Sequence, residues 1–113
     1  MKVNVFHNGL LIGCSRLDAA DPPMSVASGP FEPTSHYDPQ RHASNIDGED
    51  NTGRVEEQLS VRSEEFGGID CQGVIIDDYS KTLGEISISV LCIRHPDYDT
   101  LFASSPAYKA YWD

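Results

Sequence analysis

The chain opens on an alternation. Apolar Val3 and Val5 are separated by polar Lys2 and Asn4, and a second run, Leu10 to Leu17, follows Asn8-Gly9. That dipeptide tolerates φ > 0 at both central positions of a two-residue type I′ turn, which predicts a β-hairpin over residues 2–7 and 10–17. Pairing across the turn sets His7 opposite Leu10, Val5 opposite Ile12 and Val3 opposite Cys14. One face is then Val3, Val5, Ile12 and Cys14, and it is expected to be buried. The other carries Lys2, Asn4, Phe6, Leu11 and Ser15.

Alternation returns in the C-terminal half. Arg54 to Ser63 alternates weakly through Val55, Leu59 and Val61, and Gly67-Gly68 breaks it. Cys71 to Tyr79 runs through Val74, Ile75 and Ile76. Glu85 to Ile93 sets Ile86, Ile88, Val90 and Cys92 against Ser87 and Ser89. Period two with β-branched residues predicts antiparallel strands, with Ser80 to Gly84 as the connecting loop. The pattern then changes period. Pro96 at a first helical position, acids in the first turn, and Tyr98, Leu101 and Phe102 at i, i+3, i+4 predict a short helix. Ser105-Pro106 with Tyr108, Tyr111 and Trp112 predicts a second, and both aromatic stripes are expected to pack on the sheet.

Between these halves the pattern lapses. Residues 18–53 hold five of the seven prolines but only three of the 26 Leu, Ile, Val and Phe residues: Val26, Phe31 and Ile46. Such a segment cannot supply a core of its own, so it reads as a long loop laid over a scaffold built by its flanks. The expected fold is a single α+β domain over residues 1–113, mainly antiparallel β. It comprises an N-terminal hairpin, a long acidic Pro-rich loop, further antiparallel strands and short C-terminal helices. An unpaired edge at Glu85–Ile93 would let two copies form a homodimer.

Charge sharpens this picture. The chain carries 8 Lys and Arg against 18 Asp and Glu, a net −10, and residues 18–53 contribute seven acids and one base, hence −6. That balance argues against nucleic acid, whose affinity rests on phosphate neutralisation, and against anionic membranes. No apolar run approaches a membrane span, and the start lacks the apolar stretch of a secretory signal. Three cysteines, an odd number without a CxxC pair, suit a cytoplasmic setting. Cys14 and Cys92, in apolar strand-like segments, are expected to behave as buried hydrophobes.

Catalytic signatures are weak throughout. No G-x-S-x-G elbow, P-loop or dinucleotide fingerprint occurs. His36 and His42 lie six apart, a spacing that does not align two imidazoles on a helix, although a loop could bring them together. Asp47 to Gly53 superficially resembles a calcium loop, but its sixth position is Thr52 and its twelfth is Gln58. Asp77-Asp78 and Glu56-Glu57 are neighbours on strands, so each pair points to opposite faces and reads as solvated. No cofactor is expected and no catalytic residue is assigned.

The stretch from Asn8 to Leu17, followed by Asp21-Pro22-Pro23-Met24-Ser25-Val26-Ala27-Ser28-Gly29-Pro30-Phe31-Glu32-Pro33 and Tyr37, resembles the opening of a set of small, mostly bacterial proteins without an assigned activity. The resemblance covers about the first third of the chain and the aromatic end, Tyr108 to Trp112. It implies no activity. It does imply that residues 21–37 are ordered, with Met24, Val26, Phe31 and Tyr37 as anchors.

Two functional readings follow. The favoured one is a non-enzymatic interaction module that presents the acidic loop, with Asp47, Glu49 and Asp50 as its surface, to a basic protein partner. Small acidic proteins that neutralise basic toxins offer an analogy in size and charge. The alternative is a small-molecule or metal-binding domain, or an enzyme, with a site between the 18–53 loop and the sheet. Its polar groups would be His36, Tyr37, Asp38 and His42, with His7 reaching in from the hairpin tip.

Overall fold

A computed structural model describes residues 1–52 and 59–112. The strands are β1 (Lys2–His7), β2 (Leu10–Arg16), β3 (Asp18–Asp21), β4 (Val26–Pro33), β5 (Asn45–Ile46), β6 (Glu49–Asp50), β7 (Ser60–Ser63), β8 (Gly67–Tyr79) and β9 (Glu85–His95). The helices are α1 (Pro39–His42), α2 (Tyr98–Phe102) and α3 (Pro106–Trp112), and a single 3₁₀ turn spans Pro22–Met24. The architecture is mainly antiparallel β, as the alternation predicts. Its ladders close on themselves: β1 pairs with β2, β2 with β4, β4 with β9, β9 with β8, β8 with β7, and β7 with β1. The result is a closed six-stranded antiparallel barrel with extra strands and three short helices.

The N-terminal hairpin forms at Asn8-Gly9, both residues having positive φ (51° and 79°). His7 faces Leu10 as expected, but a bulge then shifts the register, so that Val5 faces Gly13 and Val3 faces Ser15. The bulge adds one residue to β2 and reverses the facing of everything after it. Ser15 is therefore buried and Cys14 only half-buried, opposite to the expected phase. Among the described residues the Ser15 hydroxyl has no hydrogen-bond partner.

The middle segment is not one long loop. Its first half supplies β3 and the barrel strand β4, which carries Pro30 and Pro33 near its end. These prolines, with Gly29, mask the strand in the sequence. They fit because Pro33 faces Gly13 at the end of the β2 ladder and Pro30 faces Ser87 at the end of the β9 ladder. β3 continues β2 past Leu17, and the two share one edge of β4. At that corner a Cβ on Gly29 would lie 2.2 Å from the Arg16 carbonyl oxygen, so only glycine permits the approach. Of the expected anchors Phe31 is buried, Val26 and Tyr37 are half-buried, and Met24 is exposed, standing on the 3₁₀ turn.

Other expectations shift as well. The described part of the Arg54–Ser63 strand is β7, and residues 54–58, including Glu56-Glu57, lie outside the described residues. Gly67-Gly68 begins β8 rather than ending a strand. β9 is no free edge: β4 and β8 flank it, because barrel closure consumes both its sides, and the edge-strand route to a homodimer is removed. Cys92 is exposed and left-handed (φ 50°). The barrel is lined by Val3, Val5, Ile12, Phe31, Val61, Ile76, Ile88 and Val90, all buried. Each such side chain contributes about 1.5–3 kcal/mol relative to exposure.

Tyr98, Leu101 and Phe102 of α2 join this core, and the Tyr98 hydroxyl donates to the Val26 carbonyl at 2.8 Å. Pro96 precedes the helix by two residues, with Asp97 at the cap. In α3 only Tyr108 packs inward. Tyr111 and Trp112 are exposed, since this seven-residue helix lies beside β3 rather than across the barrel. Among the described residues no helix is long and apolar enough to cross a membrane.

Candidate functional site

β1 runs from the α2 end of the barrel toward its own hairpin turn, and it ends on His7. Over this second end folds the segment between β4 and β7. Asp38 starts α1: its side chain accepts from the Gln40 amide at 3.0 Å, and Pro39 occupies the first helical turn. α1 then aims His42 inward, where it is 2% exposed beside His7 at 6%.

The imidazole of His42 is held at both nitrogens. Its Nδ1 lies 3.0 Å from the Asp38 amide and its Nε2 lies 3.1 Å from Nδ1 of His7. An amide N–H can only donate, so His42 Nδ1 accepts and the His42 proton sits on Nε2. That proton is donated to His7 Nδ1, which places the His7 proton on its own Nε2. Burial holds His42 below its usual value, reinforced by His7 and Arg41 and opposed by Asp38. The rings meet edge-on with centroids 4.8 Å apart, and Tyr37 stacks on His42 at 5.9 Å.

Tyr37 extends the cluster. Its hydroxyl donates to Asp78 Oδ2 at 2.6 Å, and its ring meets Phe31 edge-on at 5.2 Å. Burial, then the Asp78 bond and charge, push the phenol well above its ordinary range. Asp78 is not solvated, contrary to expectation: it is 1% exposed, accepting also from the Ser80 amide at 2.9 Å. Burial alone would raise its pKa, but the bonds from Ser80 and Tyr37 outweigh it and hold the carboxyl below the usual range. Asp77 points the other way and is half-buried, as alternation requires.

The structure thus brings together Tyr37, Asp38, His42 and His7, and adds Asp78, which sequence reasoning missed. The only signal for Asp78 was its place at the end of a strand. His36 stays exposed and outside the cluster. Among the described residues no group of three or more His, Cys, Asp or Glu side chains is arranged to hold a metal ion. Between the middle segment and the sheet lie the side chains of this cluster, with His7, His42 and Asp78 buried and Tyr37 half-buried. A groove of about 620 Å³ lies instead at the α2 end, lined in part by Met1, Arg16, Phe66 and Leu101.

After α1 the chain forms a second, much smaller hairpin. Asp47-Gly48 takes positive φ at both residues (50° and 93°), a type I′ turn between β5 and β6. The Asp-Gly dipeptide was its signal, obscured by the resemblance to a calcium loop. β5 lies parallel to the end of β8, Asn45 beside Asp77 and Ile46 beside Asp78. Asp47 Oδ1 accepts from both the amide and the hydroxyl of Thr82, which pins the turn to the β8–β9 connection. Asn51 donates to the Gln40 and Ala43 carbonyls at 3.0 and 2.9 Å, tying the far side to α1. Glu49 and Asp50 are exposed, and Asp50 is held below its usual value by the Thr52 hydroxyl and amide. The three acids therefore stand on one braced projection. Comparison with protein-family models, with curated proteins and with solved structures finds no match to this chain.

Proposed function

We propose that the protein is a non-enzymatic interaction module that presents the β5–β6 hairpin, with Asp47, Glu49 and Asp50, to a basic protein partner. The observation that carries this reading is the bracing of an acidic turn on a closed barrel. Parallel pairing to β8, the Thr82 bonds to Asp47 and the Asn51 bonds to α1 fix the projection from three sides. Pre-ordering of this kind lowers the entropy lost on docking. Among the described residues the ion pair present is Arg94–Asp70, which belongs to the β8–β9 ladder rather than to this hairpin. With a net −10 on the chain, complementary charge accelerates encounter and disfavours acidic competitors. The buried cluster behind the hairpin, with its Tyr37–Asp78 and His42–His7 hydrogen bonds, serves as its footing.

The test is a salt titration with a charge-neutralised control. A basic protein that co-purifies with the chain is measured against the wild type and against Asp47→Asn/Glu49→Gln/Asp50→Asn. Affinity is expected to fall steeply between about 50 and about 500 mM salt, as the screening length shrinks from about 14 to about 4 Å. The triple variant is expected to bind at least tenfold more weakly at low salt. Equal binding by the two chains, or an affinity indifferent to salt, overturns the reading.

A further inference from the structure

The groove at the α2 end lies across the barrel from the acidic hairpin, and the interaction reading does not use it. At about 620 Å³ it falls within the range of small-molecule sites, which often occupy the mouths of barrels. Three parts of the chain wall it: the β2–β3 corner, the β7–β8 turn and the connection from α2 to α3. Leu17, Leu101 and Phe102 are buried beneath it, and Phe66 packs half-buried against the same core.

Two hydroxyls set the walls. Ser63, 2% exposed, accepts from the Glu65 and Phe66 amides at 3.1 Å each and so shapes the β7–β8 turn. Ser105 donates to Asp18 and accepts from the Tyr108 amide at 3.2 Å, which joins the α2–α3 connection to the start of β3. Asp18 Oδ1 also accepts from the Ala19 amide at 2.8 Å, so this acid belongs to the wall. The Met1 amine is likewise engaged, donating to the Leu17 carbonyl at 2.7 Å.

Arg16 and Glu65 are different. Both line the groove and are exposed, and among the described residues neither side chain forms an ion pair. They carry opposite charges over one apolar floor without pairing with each other. β2 and β7 flank β1, two strand spacings or about 10 Å apart, so both side chains can reach one small molecule between them. A carboxylate suits the planar fork of a guanidinium, and an ammonium suits a carboxylate. We infer that the groove binds a free apolar amino acid, its carboxylate on Arg16, its ammonium on Glu65 and its side chain against Phe66 and Leu101.

Ligands of a single sign match this lining less well. An anion without an ammonium meets Glu65 and Asp18 on a chain of net −10, and a cation without a carboxylate meets Arg16. The end residue of a peptide carries only one of the two charges, so the pairing of both favours the free amino acid.

Amide NMR of the full chain, titrated with L-phenylalanine or L-leucine, tests this. Saturable shifts are expected at residues 16–18, 64–67 and 100–106, with the β5–β6 hairpin unmoved. N-acetylphenylalanine keeps only the carboxylate, and phenylalaninamide only the ammonium. Each is expected to bind at least about tenfold more weakly than phenylalanine, the scale of one lost charged hydrogen bond. Arg16→Gln should leave phenylalanine no tighter than phenylalaninamide, and Glu65→Gln should leave it no tighter than N-acetylphenylalanine. The inference is overturned if neither amino acid gives saturable shifts by about 10 mM, well above the weakest affinity such a site would need. It is equally overturned if a one-charge analogue binds as tightly as phenylalanine, or if either folded variant binds it as the wild type does. Should a variant not fold, the analogues decide on the wild type alone. The hairpin stands at the other end of the barrel, so no outcome here bears on whether its acids bind a partner.

Discussion

The barrel and the segment that crosses its β1–β2 end are stabilised in opposite ways. In the barrel, strands of up to 13 residues pair along their length around buried Val, Ile and Phe side chains, and order is shared over many equivalent contacts. In the segment from Thr34 to Thr52, strands are two residues long. Order there comes from two backbone bonds to β8, from Ser44 and Asp47, from the buried Ala43, and from separate polar bonds: Asp38 to Gln40, His42 to His7, Tyr37 to Asp78, Asp47 to Thr82, Asn51 to α1. Each such bond nets about 0.5–1.5 kcal/mol. The first kind of order changes only by global unfolding. The second rests on fewer and more separate contacts, so the segment is expected to open locally before the barrel does.

The barrel side of this contrast breaks most sharply at its corner. Gly29→Ala would place a Cβ 2.2 Å from the Arg16 carbonyl oxygen and 2.9 Å from the Arg16 carbonyl carbon, backbone atoms with no rotamer to yield. The expected loss is about 3 kcal/mol or more, read by urea denaturation as a lower midpoint. Gly68→Ala is the companion, since a Cβ there meets nothing within 4 Å. It is expected to stay within about 0.5 kcal/mol of wild type. Equal effects from the two substitutions would mean that β2, β3 and β4 do not meet as described.

The same corner marks the limit of what sequence could reveal. Asn8-Gly9 announced its hairpin because the turn's demand for positive φ is local. The bulge after it was not legible, because it sits where β2, still paired with β1, also takes up β4 on its other edge. β4 itself was hidden by Gly29, Pro30 and Pro33, residues that usually end strands and here suit the close approach and the ladder ends of a barrel. His7, Tyr37, Asp38 and His42 stood out by their chemistry, yet Asp78 read as solvated. Nothing local to β8 signals a phenol 41 residues earlier in the chain. Alternation assigned Asp77 and Asp78 to opposite faces correctly but could not say which face the middle segment covers.

On the segment side, Tyr37→Phe keeps the ring and removes the donor. Asp78, 1% exposed, would then lose its shortest bond. The expected cost is about 1–3 kcal/mol, that of leaving a buried acceptor poorly satisfied. Its pH signature is distinct. Asp78 is held below 3.8 in the folded chain, so its stabilisation is present above that value and fades as pH falls through the lower folded one. Losing the Tyr37 bond raises the folded value, so Tyr37→Phe should narrow the stability gap between neutral and acid solution. Thermal melts across that range measure it. A variant as stable as wild type at every pH would show that the segment is held by packing, and would erase the contrast with the barrel.

The smallest effect belongs to the acids that face outward. Glu49 and Asp50 are exposed at the tip strand of the small hairpin, and their charges meet water rather than the barrel. Glu49→Gln should leave stability within about 0.5 kcal/mol of wild type, and Asp50→Asn, whose amide oxygen can still accept from Thr52, should leave the melting midpoint unchanged. Asp47 differs, because its carboxylate pins the turn to Thr82 through two bonds at 3.1 and 3.0 Å. Asp47→Ala is therefore expected to cost about 1–2 kcal/mol where its two neighbours cost almost nothing. Differential scanning of the three variants separates an acid that builds the hairpin from two that the hairpin merely displays. If Glu49 or Asp50 proved as costly as Asp47, the charge of this projection would be explained by folding, and a partner would no longer be needed to account for it.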